Sequence, residues 1–362
     1  MNRKENSFVF GILACLILSA LILLIFAVML GQAKQLNQEE NNNQTSLVSV
    51  ATSESKSTST SDEEHSDSTV PSSSKSMEEK QAVMDADLAT MSAYGLYYDY
   101  VNLSLVETVQ AYMKEFGIGP SAISFSYKNT RTGDTASMND TQAMTAGSTY
   151  KLPLNMLVVD EVDDGKLSLT ECFDISQTGY ELLSEHNAYM SQFPQGMTIP
   201  DMQKYSLVYS ENTPAYALAD RLGGMAQAYT LFGKYGQSKG DIKTIELVGN
   251  KTTTDYYIQV LDYLWNHQEK YADIIYFMEI SFPRDYYKAY FPNLRIVQKP
   301  GYVREARNVD AIVFEETPYL VAIYTAGLGG STTDSTEING YGYTQLLHLT
   351  YVINQWHRIN GN

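Results

Sequence analysis

Ser148 and Lys151 stand three residues apart in the stretch Ala146-Gly147-Ser148-Thr149-Tyr150-Lys151, just ahead of an apolar run from Leu152 to Val159. On a helix, residues at i and i+3 share a face one turn apart. That places an amine beside a hydroxyl, one way to activate a serine nucleophile without histidine. A serine that opens a helix also lies near unpaired backbone N–H groups. The plain alternative makes Ser148 an ordinary N-cap and Lys151 a solvated first-turn lysine. The pair alone does not separate the two readings.

The elements that must position this pair follow from pattern. Ala122 to Tyr127 alternates like a strand, Asn129 to Asp134 reads as a turn, and Thr135 to Asn139 pairs back. A hairpin therefore precedes the Ser148 helix, and that helix should end before Asp163-Asp164-Gly165. Earlier, apolar residues from Leu103 to Phe116 recur at helical spacing. Thr198-Ile199-Pro200-Asp201 is a capping pattern with proline just inside the start. The helix it opens ends near Tyr209, and Ser210-Glu211-Asn212 then forms a short connection. Thr213-Pro214 starts the next helix, and Thr252-Thr253-Thr254 caps another.

Strands return at the end of the chain: Leu294 to Gln298, with Lys299-Pro300-Gly301 at its end, then Val309 to Phe314 and Tyr319 to Thr325. A closing helix covers about Tyr343 to Arg358. The expected fold is thus α/β of the α+β type. One antiparallel sheet is built from both ends of the domain and packed against a mostly helical middle.

The three clusters, in this order, resemble the signature set of the class A β-lactamases and penicillin-binding proteins, Ser-x-x-Lys, Ser-Asp-Asn and Lys-Thr-Gly. The resemblance covers about residues 100–360. It implies a serine hydrolase acylated at Ser148 by β-lactams or D-Ala-D-Ala-like peptides, with no cofactor. Lys151, if desolvated, would accept the serine proton. Ser210 would relay a proton to the leaving nitrogen, held by Lys151 and Lys299. Asn212 would hydrogen-bond the substrate amide. The oxyanion would sit between the backbone N–H of Ser148 and that of Tyr302, just after Gly301, and Lys299 would attract a substrate carboxylate.

The chain departs from the family pattern in three places. Glu211 replaces the usual aspartate, a largely structural position. Pro300 replaces threonine or serine, which removes a hydroxyl and an N–H; an edge strand tolerates this. Losing that hydrogen bond to a charged group should weaken substrate binding by ~1.5–3 kcal/mol. Glu246, four residues before Asn250, stands where a deacylation base is expected, but the stretch from it to Thr252 is short. Either Glu246 is the base or it is a solvated surface carboxylate, with Asn250 where the loop closes. In the second case the acyl-enzyme hydrolyses slowly. The rival reading on the same fold is a non-catalytic cell-surface binding protein.

Composition sets the remaining bounds. The net charge of -17 argues against a nucleic-acid partner. The two cysteines, Cys15 and Cys172, make no disulfide framework, and no Cys/His cluster has metal-ligand spacing. His186, His267, His348 and His357 have no acidic or serine partner at motif spacing.

Phe8 to Leu30 is almost unbroken apolar sequence without a charge. At ~1.5 Å per residue it spans ~34 Å, enough for a bilayer core. Arg3 and Lys4 ahead of it keep residues 1–7 in the cytoplasm. Residues 8–30 are therefore expected to be a single-pass membrane anchor, and Gly31-Gln32-Ala33 leaves cleavage open. Residues 31–84, rich in Ser, Thr and Glu and without aromatics through Ser76, read as a disordered tether. It would hold a domain of residues 85–362 outside the cell, on a surface of Gram-positive type.

Overall fold

The computed structural model describes residues 75–361. The membrane span predicted at residues 8–30 and most of the tether lie outside them. Among the described residues, no helix is long and apolar enough to cross a membrane.

The folded chain begins earlier than residue 85. Helix α1 (Met77–Tyr94) opens on a capping box, with the Ser76 side chain and Glu79 each bonding the other's backbone N–H. Its Met84 and Met91 are buried beside α2 (Leu105–Glu115) and the closing helix. Few other apolar residues mark this helix, which is why its first turns read as tether.

Strands β1 (Ile123–Asn129) and β2 (Thr135–Met138) form the expected hairpin. Short β3 (Met144–Thr145) leads into a 3₁₀ turn, Gly147–Tyr150, and then α3 (Lys151–Asp163). The helical middle holds β4 (Cys172–Phe173), α4 (Leu183–Gln192), β5 (Met197–Thr198), α5 (Ile199–Val208), α6 (Asn212–Arg221) and α7 (Met225–Leu231). It continues through β6 (Lys251–Thr252), α8 (Thr254–Asn266) and α9 (Ala272–Ile280). Strands β7 (Ile296–Val303), β8 (Ala306–Val313) and β9 (Tyr319–Thr325) and helix α10 (Gly340–Asn360) close the chain.

The main sheet has five antiparallel strands in the order β2-β1-β9-β8-β7, so both ends of the domain do build one sheet. Alternation assigns its faces. On β9, Tyr319, Val321 and Ile323 pack toward α1, α2 and α10, while Leu320, Ala322 and Tyr324 pack toward the helical middle. On the second face, Val297 of β7 and Ile312 of β8 join them. The same parity puts Lys299 and Asp310 on that face. β7 runs past Gln298, so Lys299-Pro300-Gly301 lies within an edge strand rather than at its end.

Helix α3 is buried from Lys151 to Val158, as its apolar sequence requires. Its one buried acid, Asp160, accepts from Lys234 Nζ at 2.6 Å, Lys270 Nζ at 2.7 Å, Tyr235 Oη at 2.6 Å and Tyr271 Oη at 2.8 Å. Burial pushes this carboxyl up, but the four hydrogen bonds more than offset it and hold it below the usual value. Its contribution to stability is therefore present above the unfolded pKa and lost as pH falls through the lower folded one. Asp160→Ala should cost about 3 kcal/mol, since the two lysines stay partly solvated while the tyrosines lose their acceptor. Denaturant unfolding at neutral pH reads this loss; at acid pH the gap to wild type should shrink.

Candidate active site

The three clusters meet at the N-terminus of α3. Ser148 sits half-buried in the 3₁₀ turn, and its side chain makes no capping bond, so the N-cap reading fails. Lys151 is fully buried rather than solvated. Its Nζ lies 3.1 Å from Ser148 Oγ and 2.6 Å from Asn212 Oδ1, and it also donates to the Ser210 carbonyl. Burial is the main cause that lowers the Lys151 pKa to about 7; Glu185, Glu181 and Glu211 oppose it. An amine with that pKa beside a hydroxyl can take a proton at neutral pH.

The connection between α5 and α6 presents the second cluster. The capping box of Thr198 and Asp201 starts α5 as the sequence predicts. Ser210 takes a positive φ of 61°, a sharp bend that turns its carbonyl and hydroxyl toward the two lysines. Lys299 Nζ donates to Ser210 Oγ at 2.9 Å and to the Pro300 carbonyl at 2.8 Å. Lys299 is fully buried, and burial, followed by the charge of Lys151, pushes its pKa well down.

β7 lies hard against the Ser148 turn. A Cβ on Gly147 would come within 2.7 Å of the Tyr302 nitrogen, and one on Gly301 within 2.3 Å of the Ala146 carbonyl oxygen. Only glycine lets these backbones approach so closely. The turn that carries Ser148 and the strand segment that carries Tyr302 are thus in close backbone contact. Across the ladder from Tyr302 is Arg307. Its guanidinium is 4.8 Å from the Tyr302 ring and 4.3 Å from that of Tyr343, and its Nε has no hydrogen-bond partner among the described residues.

Glu246 does not join this group. It is exposed, its backbone N–H donates to the Lys251 carbonyl at 2.7 Å, and no hydrogen bond links its carboxylate to Ser148, Lys151 or Ser210. Gly249 and Asn250, both at positive φ, close the short hairpin. Asn250 then faces the Ser148 turn: its Nδ2 donates to the Gly147 carbonyl at 3.1 Å, and its buried Oδ1 has no hydrogen-bond partner among the described residues.

Two carboxylates that motif reasoning missed come from the segment entering α4. Glu181 accepts from Asn212 Nδ2 at 2.9 Å and from the Tyr216 hydroxyl. Glu185 accepts from the backbone N–H groups of Asn212 (2.9 Å) and Thr213 (2.6 Å) and so caps α6, whose own N-cap Glu211 makes no side-chain cap. Glu211 is raised by burial first and by Glu185 second. No spacing rule ties these glutamates to Asn212; tertiary packing alone brings them there. His357 lies elsewhere, bonded to the Tyr127 hydroxyl at 2.7 Å and the Thr317 carbonyl at 2.8 Å.

A search of curated protein sequences finds no match. Among solved structures, an ancestral class A β-lactamase aligns with TM-score 0.57 at 18% identity, over 69% of this chain and 99% of its own. A β-lactamase from Xanthomonas campestris pv. campestris aligns at 0.56 and 17% identity, covering 70% and 98%. One from Chitinophaga pinensis aligns at 0.55 and 16%, covering 68% and 97%. At these identities the likeness is one of fold. The family model described as the β-lactamase enzyme family matches residues 104–340, well over half the chain. That stretch spans every element from α2 to β9, and the chain belongs to the β-lactamase enzyme family.

Proposed function

We propose that this protein is a membrane-anchored serine hydrolase of the β-lactamase and penicillin-binding type, acting outside the cell and acylated at Ser148 by β-lactams or D-Ala-D-Ala-like peptides. The observation that carries the reading is the buried Lys151 amine 3.1 Å from Ser148 Oγ, with its pKa lowered to about 7. The Ser148 hydroxyl proton passes to Lys151 Nζ as Oγ bonds to the amide carbon. The carbonyl oxygen takes the negative charge and lies between the N–H groups of Ser148 and Tyr302. The carbon–nitrogen bond then breaks, and the leaving nitrogen takes a proton from the Ser210 hydroxyl. Lys151 returns a proton to Ser210. Lys299 and Asn212 hold the substrate's carboxylate and side-chain amide. The segment at residues 8–30 is the proposed anchor.

Release of the acyl group is slow in this reading, because Glu246 is exposed and unlinked to the site. Glu246→Gln should leave the lifetime of the acyl-enzyme within about twofold, against the ~10²-fold or larger change expected on removing a general base. Pro300 favours the rival, a non-catalytic surface protein on the same fold. Intact mass of the full-length chain, followed over time with a penicillin, decides between them. A persistent adduct that Ser148→Ala abolishes is the expected result. Neither adduct nor turnover with several β-lactams overturns the hydrolase reading.

A further inference from the structure

The acylation proposed above needs the Ser148 N–H to hold a fixed direction, because a donor stabilises an oxyanion only when it is aimed at it. In a trans peptide unit the carbonyl and the N–H point to opposite sides of one plane. The N–H of Ser148 shares its unit with the carbonyl of Gly147. Whatever grips that carbonyl therefore aims the N–H.

Three successive carbonyls lead into the Ser148 turn, and an asparagine amide meets each of them. Asn308 of β8 holds the first two: its Nδ2 donates to the Thr145 carbonyl at 2.6 Å and to the Ala146 carbonyl at 3.1 Å. Its Oδ1 accepts from the Thr325 N–H at 3.0 Å, so both ends of this amide are used. Asn250 holds the third, with Nδ2 donating to the Gly147 carbonyl at 3.1 Å.

The backbone brings Asn250 there. β6 pairs with β3 so that Lys251 lies opposite Thr145. One step further, the Ala146 N–H donates to the Asn250 carbonyl at 2.8 Å. Asn250 has φ of 49°, in a region that asparagine enters more readily than most residues. Asn308 and main-chain pairing thus anchor the turn without the Asn250 side chain. That side chain makes one hydrogen bond among the described residues, and its buried Oδ1 has no hydrogen-bond partner there. A buried unpaired acceptor costs about as much as one hydrogen bond returns. The side chain therefore adds little to stability, and its effect falls on the Gly147 carbonyl.

We propose that Asn250 is a positioning residue whose amide, bound to the Gly147 carbonyl, aims and polarises the Ser148 N–H toward the oxyanion. The inference rests on the oxyanion site proposed above. A hydrogen bond accepted by a peptide carbonyl draws electrons from the N–H of the same unit and strengthens the bond that N–H donates.

The test is Asn250→Gly in the full-length chain, which removes the amide but keeps the positive φ and the main-chain bond to Ala146. The maximal rate of acylation by a penicillin should fall about tenfold, short of the ~10²–10³-fold for loss of a whole oxyanion donor. The concentration for half-maximal rate should stay within about twofold, because the charge on the carbonyl oxygen develops only during attack. An isotope label at the β-lactam carbonyl gives a readout that a packing role would not move. The carbonyl stretch of the acyl-enzyme should rise in frequency as the Ser148 hydrogen bond weakens. An unchanged stretch overturns the proposal, whatever the rate. Should the variant not fold, Asn250→Asp keeps the side chain's shape and tolerates the positive φ, yet offers the Gly147 carbonyl no donor, and the same stretch decides. If the wild type is not acylated at all, the hydrolase reading fails, and the amide nitrogen resonance of Ser148 decides instead. It should move upfield in Asn250→Gly, and a resonance that stays in place overturns the proposal.

Discussion

Lys151→Met is expected to slow acylation of Ser148 by about 10²–10⁴-fold, the range for loss of a positioned general base. Methionine nearly matches the lysine stem in length and keeps the burial at the start of α3, so the fold should persist. What it removes is the amine 3.1 Å from Ser148 Oγ and its bonds to Asn212 and the Ser210 carbonyl. Some activity should remain, because the backbone N–H groups proposed to receive the oxyanion are untouched. The pH dependence of the wild type gives an independent check. The Lys151 pKa, lowered to about 7 chiefly by burial, lies below the ordinary value for lysine. The reactive amine is neutral above about 7 and protonated below it. The rate of adduct formation should therefore rise with pH through about 7, and this limb should vanish in Lys151→Met. A limb near the ordinary lysine value, or the same limb in the variant, would assign the base elsewhere.

The parts of the site that sequence made legible are those set by local chemistry. Ser148 and Lys151 meet because one helical turn separates them. The hydroxyl of Thr198 and the carboxylate of Asp201 fix where α5 starts, and hence where Ser210 falls. Tyr319 to Thr325 reads as a strand from its sequence, and β9 covers those same residues. The parts that stayed hidden are set by long-range packing. Asp310 reads as one polar residue within a strand, and only the pairing of β7 with β8 puts it opposite Lys299. Glu181 and Glu185 sit in a segment with no signature, and only tertiary packing brings them to Asn212. Glu246 has the right spacing to Asn250, yet the hairpin is so short that the positive-φ residues Gly249 and Asn250 close it at once. The asparagine turns inward and the glutamate outward.

Gly147→Ala should lower the acylation rate by about 10²-fold or more while leaving the chain folded. Two effects combine at this position. Gly147 has φ of +60°, where an alanine costs about 1 kcal/mol in backbone strain. Its Cβ would also meet the Tyr302 nitrogen at 2.7 Å and the Gly301 carbonyl carbon at 3.1 Å. Both are backbone atoms of a strand in the main sheet, so neither yields as a flexible side chain would. The turn and β7 must move apart, and these two elements bear the N–H groups of Ser148 and Tyr302. Losing the alignment of one such donor typically costs 10²–10³-fold. Gly95 separates strain from displacement: it has φ of +66° with nothing within 4 Å of an added Cβ. Gly95→Ala should lower the melting temperature by a similar few degrees and leave acylation at the wild-type rate. If Gly147→Ala acylates as fast as Gly95→Ala, the oxyanion does not lie between Ser148 and Tyr302, and the close approach of β7 to the turn serves packing alone.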